Sequence, residues 1–304
     1  MTRRIRLIFN SHASRGRAGQ TASVLRSIVQ AHPEAEWAPT EHPTHATELA
    51  AEAARQGYEV VAALGGDGTV HEVANGLMSV PAERRPLLGI VPIGSGNDFS
   101  ASMGVTREIE SAMERVFTGE ARWADVGLVV DGSGRREYFS NALGIGFDAH
   151  VTYHSYQITY LRGFSLYLWA VIQTILRDHH PIPMEITLDG QPLREEVIML
   201  TLCNGPREGG GFLVAPEARP DDGVLHYALI RRLSRLMMFR LIPEVMKGTH
   251  GRFRPVRLGT FGRLELKAER PMTIHIDGEM FAGPTADVRQ LEVEVVPRAI
   301  QVLA

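Results

Sequence analysis

Two glycine-rich segments carry the residues best suited to chemistry. Gly65-Gly66-Asp67-Gly68-Thr69 follows an apolar run and opens a helical pattern marked by Val70, Val73, Ala74 and Leu77. Glycines there let backbone N–H groups approach phosphate oxygens with no Cβ in the way, and a helix N-terminus favours negative charge. The aspartate is the informative residue. A carboxylate repels bare phosphate, so Asp67 makes sense where Mg²⁺ lies between them or where it meets an incoming hydroxyl. A tight acidic turn is the plain alternative, and the strand-to-helix setting favours phosphate. Gly94-Ser95-Gly96-Asn97-Asp98-Phe99 has the same setting. Ser95 can donate to phosphate, and Asp98 adds a second carboxylate. Alone this segment reads as a helix N-cap. Beside the first, at one sheet edge, it reads as functional.

The familiar phosphate motifs are missing. Lys247 and Lys267 are the lysines of the chain, and neither follows a glycine loop, so there is no Walker A sequence. The early strand lysine of protein kinases is absent too. Ser11 to Gly19, the loop after the first strand, lacks the Gly-x-Gly-x-x-Gly dinucleotide fingerprint. Ser95 has Ile93 and Asn97 where a nucleophile elbow needs glycines. What remains is a lysine-free phosphate site.

The elements that must position these loops alternate strand and helix. Strands are expected at Ile5–Phe9, near Glu36–Ala38, at Glu59–Leu64 and at Leu87–Ile93, with helices near Ala18–Ala31 and His45–Arg55. Strands that are apolar throughout and separated by helices imply a parallel sheet covered on both faces. Ligands of such sheets bind at the carboxyl ends of the strands, where both glycine loops fall. From about Asp125–Asp131 the pattern changes to short alternating segments: Glu195–Leu202, Val224–Ile230, Arg263–Lys267, Met272–Ile276 and Leu291–Val296. These predict an antiparallel sandwich or barrel, with one helical insertion over Leu161–Arg177. The expected domains are 1–128, α/β, and 129–304, β-sandwich, with the last residues free to return to the first.

The bulk numbers agree. A chain of 304 residues suggests two domains, and 44% hydrophobic residues argues against disorder. A net charge of -3 excludes an electrostatic sleeve for nucleic acid. Cys203 is the single cysteine, so no intramolecular disulfide forms and a cytoplasmic setting is expected. The start, Met1 to Arg6, runs into too short an apolar stretch for a secretory signal. The stretch Gly163–Leu176 is too short to span a bilayer. Lipid contact is therefore expected to be peripheral, at the inner membrane face.

With these residues in place the chain resembles the diacylglycerol kinase catalytic-domain superfamily, which includes bacterial lipid kinases and sphingosine kinases. The resemblance runs through Gly65–Thr69 with His71-Glu72-Val73, Gly94–Asp98, Phe139–Asp148, Cys203–Gly211, Ala215–Leu225 and Ile276-Asp277-Gly278-Glu279. It implies an α/β domain and a β-sandwich with a nucleotide cleft between them, an ATP and Mg²⁺ requirement, and a lipid substrate. Thr40 matches a nucleotide-contacting threonine. Gly66, Asp67, Gly68, Thr69, Val70, His71 and Glu72 match the phosphate segment, joined by Ser95, Asn97 and Asp98. Ser95 stands where threonine is usual and keeps the hydroxyl. His71 replaces a common asparagine, and Asn10 is followed by Ser11 rather than proline. Asp222, with the carbonyls of Arg219 and Val224, matches a Mg²⁺ site that braces a loop; without the resemblance Asp222-Gly223 is a turn. Glu279 matches the proposed proton acceptor, placed here at the end of the strand Met272–Ile276. Glu279 is favoured as base, with Asp67 organising metal and water, though the sequence leaves either able to take the proton.

Other features take the plainer reading. His150 and His154 are four apart, but no third zinc ligand is evident. Arg231–Met246 mixes arginines with apolar residues and suits a helix packed on the sandwich at least as well as one on an anionic membrane. The expected activity is transfer of the ATP γ-phosphate to a lipid hydroxyl, diacylglycerol above all. A kinase of a soluble metabolite and a silent nucleotide-binding regulator are the alternatives.

Overall fold

The apolar runs of the first third become neighbouring parallel strands. The structure, a computed structural model, describes residues 3–11 and 18–304, with the backbone alone for residues 18–21. In chain order come β1 (Ile5–Phe9), α1 (Ala18–Gln30), β2 (Ala35–Pro39), α2 (His45–Arg55), β3 (Val60–Gly65), α3 (Asp67–Met78), β4 (Leu87–Pro92), α4 (Asp98–Ser102) and α5 (Ile109–Thr118). The strand order is β2-β1-β3-β4, parallel throughout. Every residue of β3 is buried, as a strand covered on both faces requires. Val60, Val61 and Leu64 are withdrawn from water completely, each worth on the order of 1.5–3 kcal/mol. Helix α2 buries Ala46, Ala50, Ala51, Ala53 and Ala54 and packs on α3. Most of the loop after β1, residues 12–17, lies outside the described residues.

Beyond α5 the chain enters β5 (Ala121–Asp131), β6 (Arg136–Phe139), β7 (Ala142–Gly146), α6 (Phe147–Gln157), α7 (Gly163–Arg177), β8 (Ile182–Leu188), β9 (Gln191–Cys203), β10 (Leu225–Arg231) and α8 (Arg235–Met246). It ends with β11 (Val256–Phe261), β12 (Arg263–Ala268), β13 (Ile274–Ile276), β14 (Glu279–Ala282) and β15 (Gln290–Leu303). Two compact units result. One holds the residues up to Val126 together with Pro297–Ala304, and the other holds Gly127–Val296. The second unit is antiparallel, in the order β14-β13-β7-β9-β8-β12-β15, with β10 between β9 and β11. Its core joins Phe139, Leu143, Ile145, Leu200, Leu202, Leu264 and Ile274. The α/β-plus-β-sandwich class expected from the sequence is the one found.

Three local expectations need correction. The helical insertion begins earlier than Leu161, because α6 precedes α7. Its Thr, Tyr and His residues break the apolar period that would have revealed it. The stretch Arg231–Met246 is not one helix: Arg231 ends β10 and α8 starts at Arg235. Met238 and Leu241 of α8 are buried with Phe212 and Ile198, the packed-helix alternative. Glu279 begins β14 rather than ending a strand, since Asp277 (φ 50) and Gly278 (φ 86) form the turn before it. Positive φ at both central residues marks a tight two-residue hairpin, and aspartate followed by glycine suits it.

Candidate active site

The two glycine loops follow the carboxyl ends of the adjacent strands β3 and β4. They touch backbone to backbone: a Cβ on Gly94 would stand 2.3 Å from the Cα of Gly66. No larger residue fits at Gly94. Asp67 joins the loops further. Its Oδ2 accepts from the Asn97 amide at 2.6 Å and its Oδ1 from the Asp98 amide at 2.8 Å. Asn97 holds the left-handed conformation (φ 56) and closes its own loop, with Oδ1 accepting from Gly94 N and Nδ2 donating to Gly94 O. Asn97 and Asp98 are buried, while Ser95 is exposed at the tip of the loop.

Neighbouring strand ends contribute to the same edge. Thr40 follows β2, its amide bonded to Phe9 O. Asn10 follows β1 and donates to Thr69 Oγ1 at 3.0 Å. Thr69, Val70 and His71 are buried, and the amides of Thr69 and Val70 donate to Gly66 O. Glu72 braces the start of α2: its two carboxylate oxygens accept from Thr44 N and Ala46 N, each at 3.1 Å. The structure thus brings Thr40, Gly66–Thr69 and Ser95–Asp98 to one edge of the parallel sheet. It turns the side chains of Val70 and His71 inward and gives Glu72 a helix-bracing bond.

In the second unit the turn before Glu279 is fastened on every side. Asp277 is buried; its Oδ1 accepts from the amides of Asn141 and Ala142, and its Oδ2 from the amide and hydroxyl of Ser140, all within 2.8 to 3.0 Å. Gly278 N donates to His275 Nδ1 at 3.4 Å, and Gly278 O accepts from the Tyr156 hydroxyl at 2.6 Å. The same hydroxyl lies 3.0 Å from Glu279 Oε2. Burial, and then the charge of Glu279 and its hydrogen bond, push the Tyr156 phenol well above its ordinary value. Tyr156 therefore stays protonated and acts as a donor. Glu279 itself is exposed, a solvent-facing carboxylate on a rigid base.

Behind this turn lie Asp148, Glu208 and His275. His275 Nε2 is 3.4 Å from Asp148 Oδ2 and 3.7 Å from Glu208 Oε1. With Nδ1 turned to the Gly278 amide, Nε2 faces the two carboxylates. The ligating atoms of the three side chains lie within 4.8 Å of one another. Burial raises the Asp148 carboxyl, but His275 together with the hydrogen bonds of Thr201 and Glu208 outweighs it, and the net shift is downward. Cys203 is buried and its thiol is raised well above the ordinary value, first by burial and then by Glu208 and Asp148. It is chemically inert.

Asp222 lies in the loop before β10. Its Oδ1 accepts from Val224 N at 3.3 Å, and its Oδ2 meets His226 Nε2 at 3.0 Å. Each carboxylate oxygen keeps lone-pair capacity beyond these bonds. His150 and His154 turn to separate partners. His150 Nδ1 bonds Gly146 O at 2.8 Å, and His154 Nε2 bonds Asp178 Oδ2 at 2.6 Å. Sequence reasoning noted Asn10 only for the residue that follows it, and passed over Asp277 in its bracing role and Tyr156. An asparagine at a strand end was a usable signal; Tyr156 offered none.

Residues 4–129 match the diacylglycerol kinase catalytic domain, and residues 141–304 match the YegS C-terminal NAD kinase beta sandwich-like domain. The diacylglycerol kinase of Bacillus subtilis is 30% identical over 281 residues, covering 91% of this chain and 90% of that protein. The diacylglycerol kinase of Mycobacterium tuberculosis is 32% identical, covering 85% of this chain and 81% of its own. The crystal structure of a diacylglycerol kinase from Bacillus anthracis shares the fold, with a TM-score of 0.77 at 24% identity over 99% of this chain and 97% of that one. Fold and relatives together define a phosphotransferase. The chain belongs to the diacylglycerol kinase family of lipid kinases, and that membership implies the use of ATP.

Proposed function

We propose that the protein transfers the γ-phosphate of Mg-ATP to the hydroxyl of diacylglycerol or a closely related lipid, giving a phosphatidic acid-type product. The observation that carries this reading is Glu279, an exposed carboxylate on a turn fastened by Asp277, His275 and Tyr156. A general base must be held still and yet reach an incoming hydroxyl. Glu279 takes the hydroxyl proton as the acceptor oxygen bonds to phosphorus and the bond to the ADP oxygen breaks. Thr40, the segment Gly66–Glu72, and Ser95, Asn97 and Asp98 serve the nucleotide. Their backbone amides and hydroxyls orient phosphate oxygens, and Asp67 fixes the spacing of the two loops. Mg²⁺ would supply neutralising charge on the phosphates, and a second ion on Asp222, Arg219 and Val224 would brace its loop.

ADP release tests the reading. It should be fast with dispersed diacylglycerol and negligible with soluble alcohols or with no acceptor. Equal release with a soluble alcohol would favour a metabolite kinase. No release with any acceptor, alongside tight ATP binding, would favour a silent regulator.

A further inference from the structure

The amino ends of the parallel strands gather arginines that neither the fold nor the glycine loops use. Arg3 precedes β1, Arg55 ends α2 ahead of β3, and Arg84 and Arg85 precede β4. The four line one cavity of about 560 Å³ that opens to solvent, with Glu59 and Glu83 as the carboxylates beside them. Arg85 is held in place: its Nε donates to Val80 O at 3.2 Å and its Nη1 to Ala299 O at 2.9 Å. Arg3, Arg55 and Arg84 make no ion pair among the described residues. No hydrogen bond reaches the buried Nη1 of Arg3. Glu59 turns to the backbone instead, its Oε2 accepting from the Arg4 amide at 3.1 Å. The last turn of α2 favours a cation and accounts for Arg55. It does not account for the other three.

We propose that this cavity binds a soluble phosphorylated small molecule, at a site separate from the glycine loops. The inference does not depend on the kinase reading above. Guanidinium groups are planar forks that match phosphate oxygens two at a time. Like charges gathered round one cavity repel one another, and an anion among them turns that repulsion into attraction. A buried donor that no protein group answers calls for an acceptor from elsewhere. None of the exposed large apolar side chains lines the cavity, so its walls suit a hydrophilic phosphate ester rather than an acyl chain. The glycine loops follow the opposite, carboxyl ends of the same strands. The six residues of β3 put roughly 20 Å between the two sites. Because Arg85 also grips Ala299 of the returning segment, an anion on its guanidinium would fasten that segment beside β4.

The probe is inorganic pyrophosphate, titrated into the full chain by calorimetry with adenosine imidodiphosphate, a non-hydrolysable ATP analogue, at saturation. Wild type should bind one further pyrophosphate and gain several degrees in thermal midpoint. Arg55→Ala with Arg84→Ala, both at exposed positions, should weaken that binding by roughly tenfold or more and abolish the gain. Turnover of dispersed diacylglycerol should be retained. In anion-free buffer the double variant should melt at or above the wild-type midpoint, since repulsion is relieved and no bond is lost. Arg235→Ala with Arg257→Ala, exposed in the second unit, is the charge-matched control and should leave pyrophosphate binding unchanged. Equal binding by wild type and the Arg55/Arg84 double variant overturns the proposal, and so does equal weakening in the control. A double variant that melts well below wild type without anion makes these arginines parts of the fold and overturns it too. Stronger displacement of pyrophosphate by dihexanoyl phosphatidic acid than by glycerol 3-phosphate assigns the cavity to a lipid headgroup and overturns the soluble ligand. Calorimetric binding needs no turnover, so a failed kinase reading shows in the turnover assay and a failed anion site in the titration.

Discussion

Replacing Asp67 by asparagine tests whether the two glycine loops work as one cradle. From shape and charge alone the change looks harmless to the fold. The hydrogen bonds say otherwise. Both carboxylate oxygens accept backbone amides, Asn97 at 2.6 Å and Asp98 at 2.8 Å. Asparagine keeps one acceptor and puts an NH₂ where the other was, so one amide faces a donor. A hydrogen bond to a charged group is worth about 1.5–3 kcal/mol, and stranding a buried partner adds a similar cost. Asp67 is only partly buried, so the lower end applies, and water can rescue part of the loss. We expect destabilisation of about 2–3 kcal/mol and a thermal midpoint lower by roughly 5–10 °C. The second loop should also shift, raising the KM for ATP and cutting kcat. Differential scanning calorimetry and steady-state kinetics would measure both. If Asp67→Asn melts like wild type and keeps its KM for ATP, the cradle argument is wrong, even if turnover falls.

Glu279→Gln should bind Mg-ATP as wild type does yet lose ~10²–10⁴-fold in transfer rate, measured in single turnover; retention of most of the rate would move the base elsewhere. Tyr156→Phe removes a donor from the Glu279 carboxylate, which raises the pKa of that group. The acid limb of the kcat profile should therefore move to higher pH, with ATP affinity unchanged; an unmoved profile would leave Tyr156 a packing residue. Asp222→Asn should lower the thermal midpoint and weaken the Mg²⁺ dependence of stability, read by melting with and without the ion.

The strands and the loops were legible because their signals are local. Apolar β3 ending in Gly65, and β4 ending near Gly94, announce themselves through composition alone. The Asp277-Gly278 pair announces a turn for the same reason, since few residues accept positive φ. What the sequence could not supply were partners distant in the chain. Asp67 was readable as a candidate for metal, whereas its bonds run to Asn97 and Asp98, 30 and 31 residues away. Asp277 reaches back to Ser140 across 137 residues, and Tyr156 to Gly278 across 122. Side-chain bonds of that range depend on the finished fold. Glu72 shows the converse: its acidic character drew attention to phosphate, while its oxygens brace Thr44 and Ala46.

The return of Pro297–Ala304 to the first unit has a consequence for synthesis. Val302 pairs in parallel with Leu88 on the open side of β4, and Ala299, Ile300, Val302 and Leu303 are all buried. Arg85 donates to Ala299 O, and the Arg298 amide to the buried Asp125 carboxylate. The unit whose residues leave the ribosome first thus waits for residues made after the whole of Gly127–Val296. Until they arrive, β4 offers an unpaired apolar edge, the kind of surface on which nascent chains misassociate. The second unit, uninterrupted in sequence, can complete itself in the meantime, so the later-made part of the protein is free to fold before the earlier one is sealed.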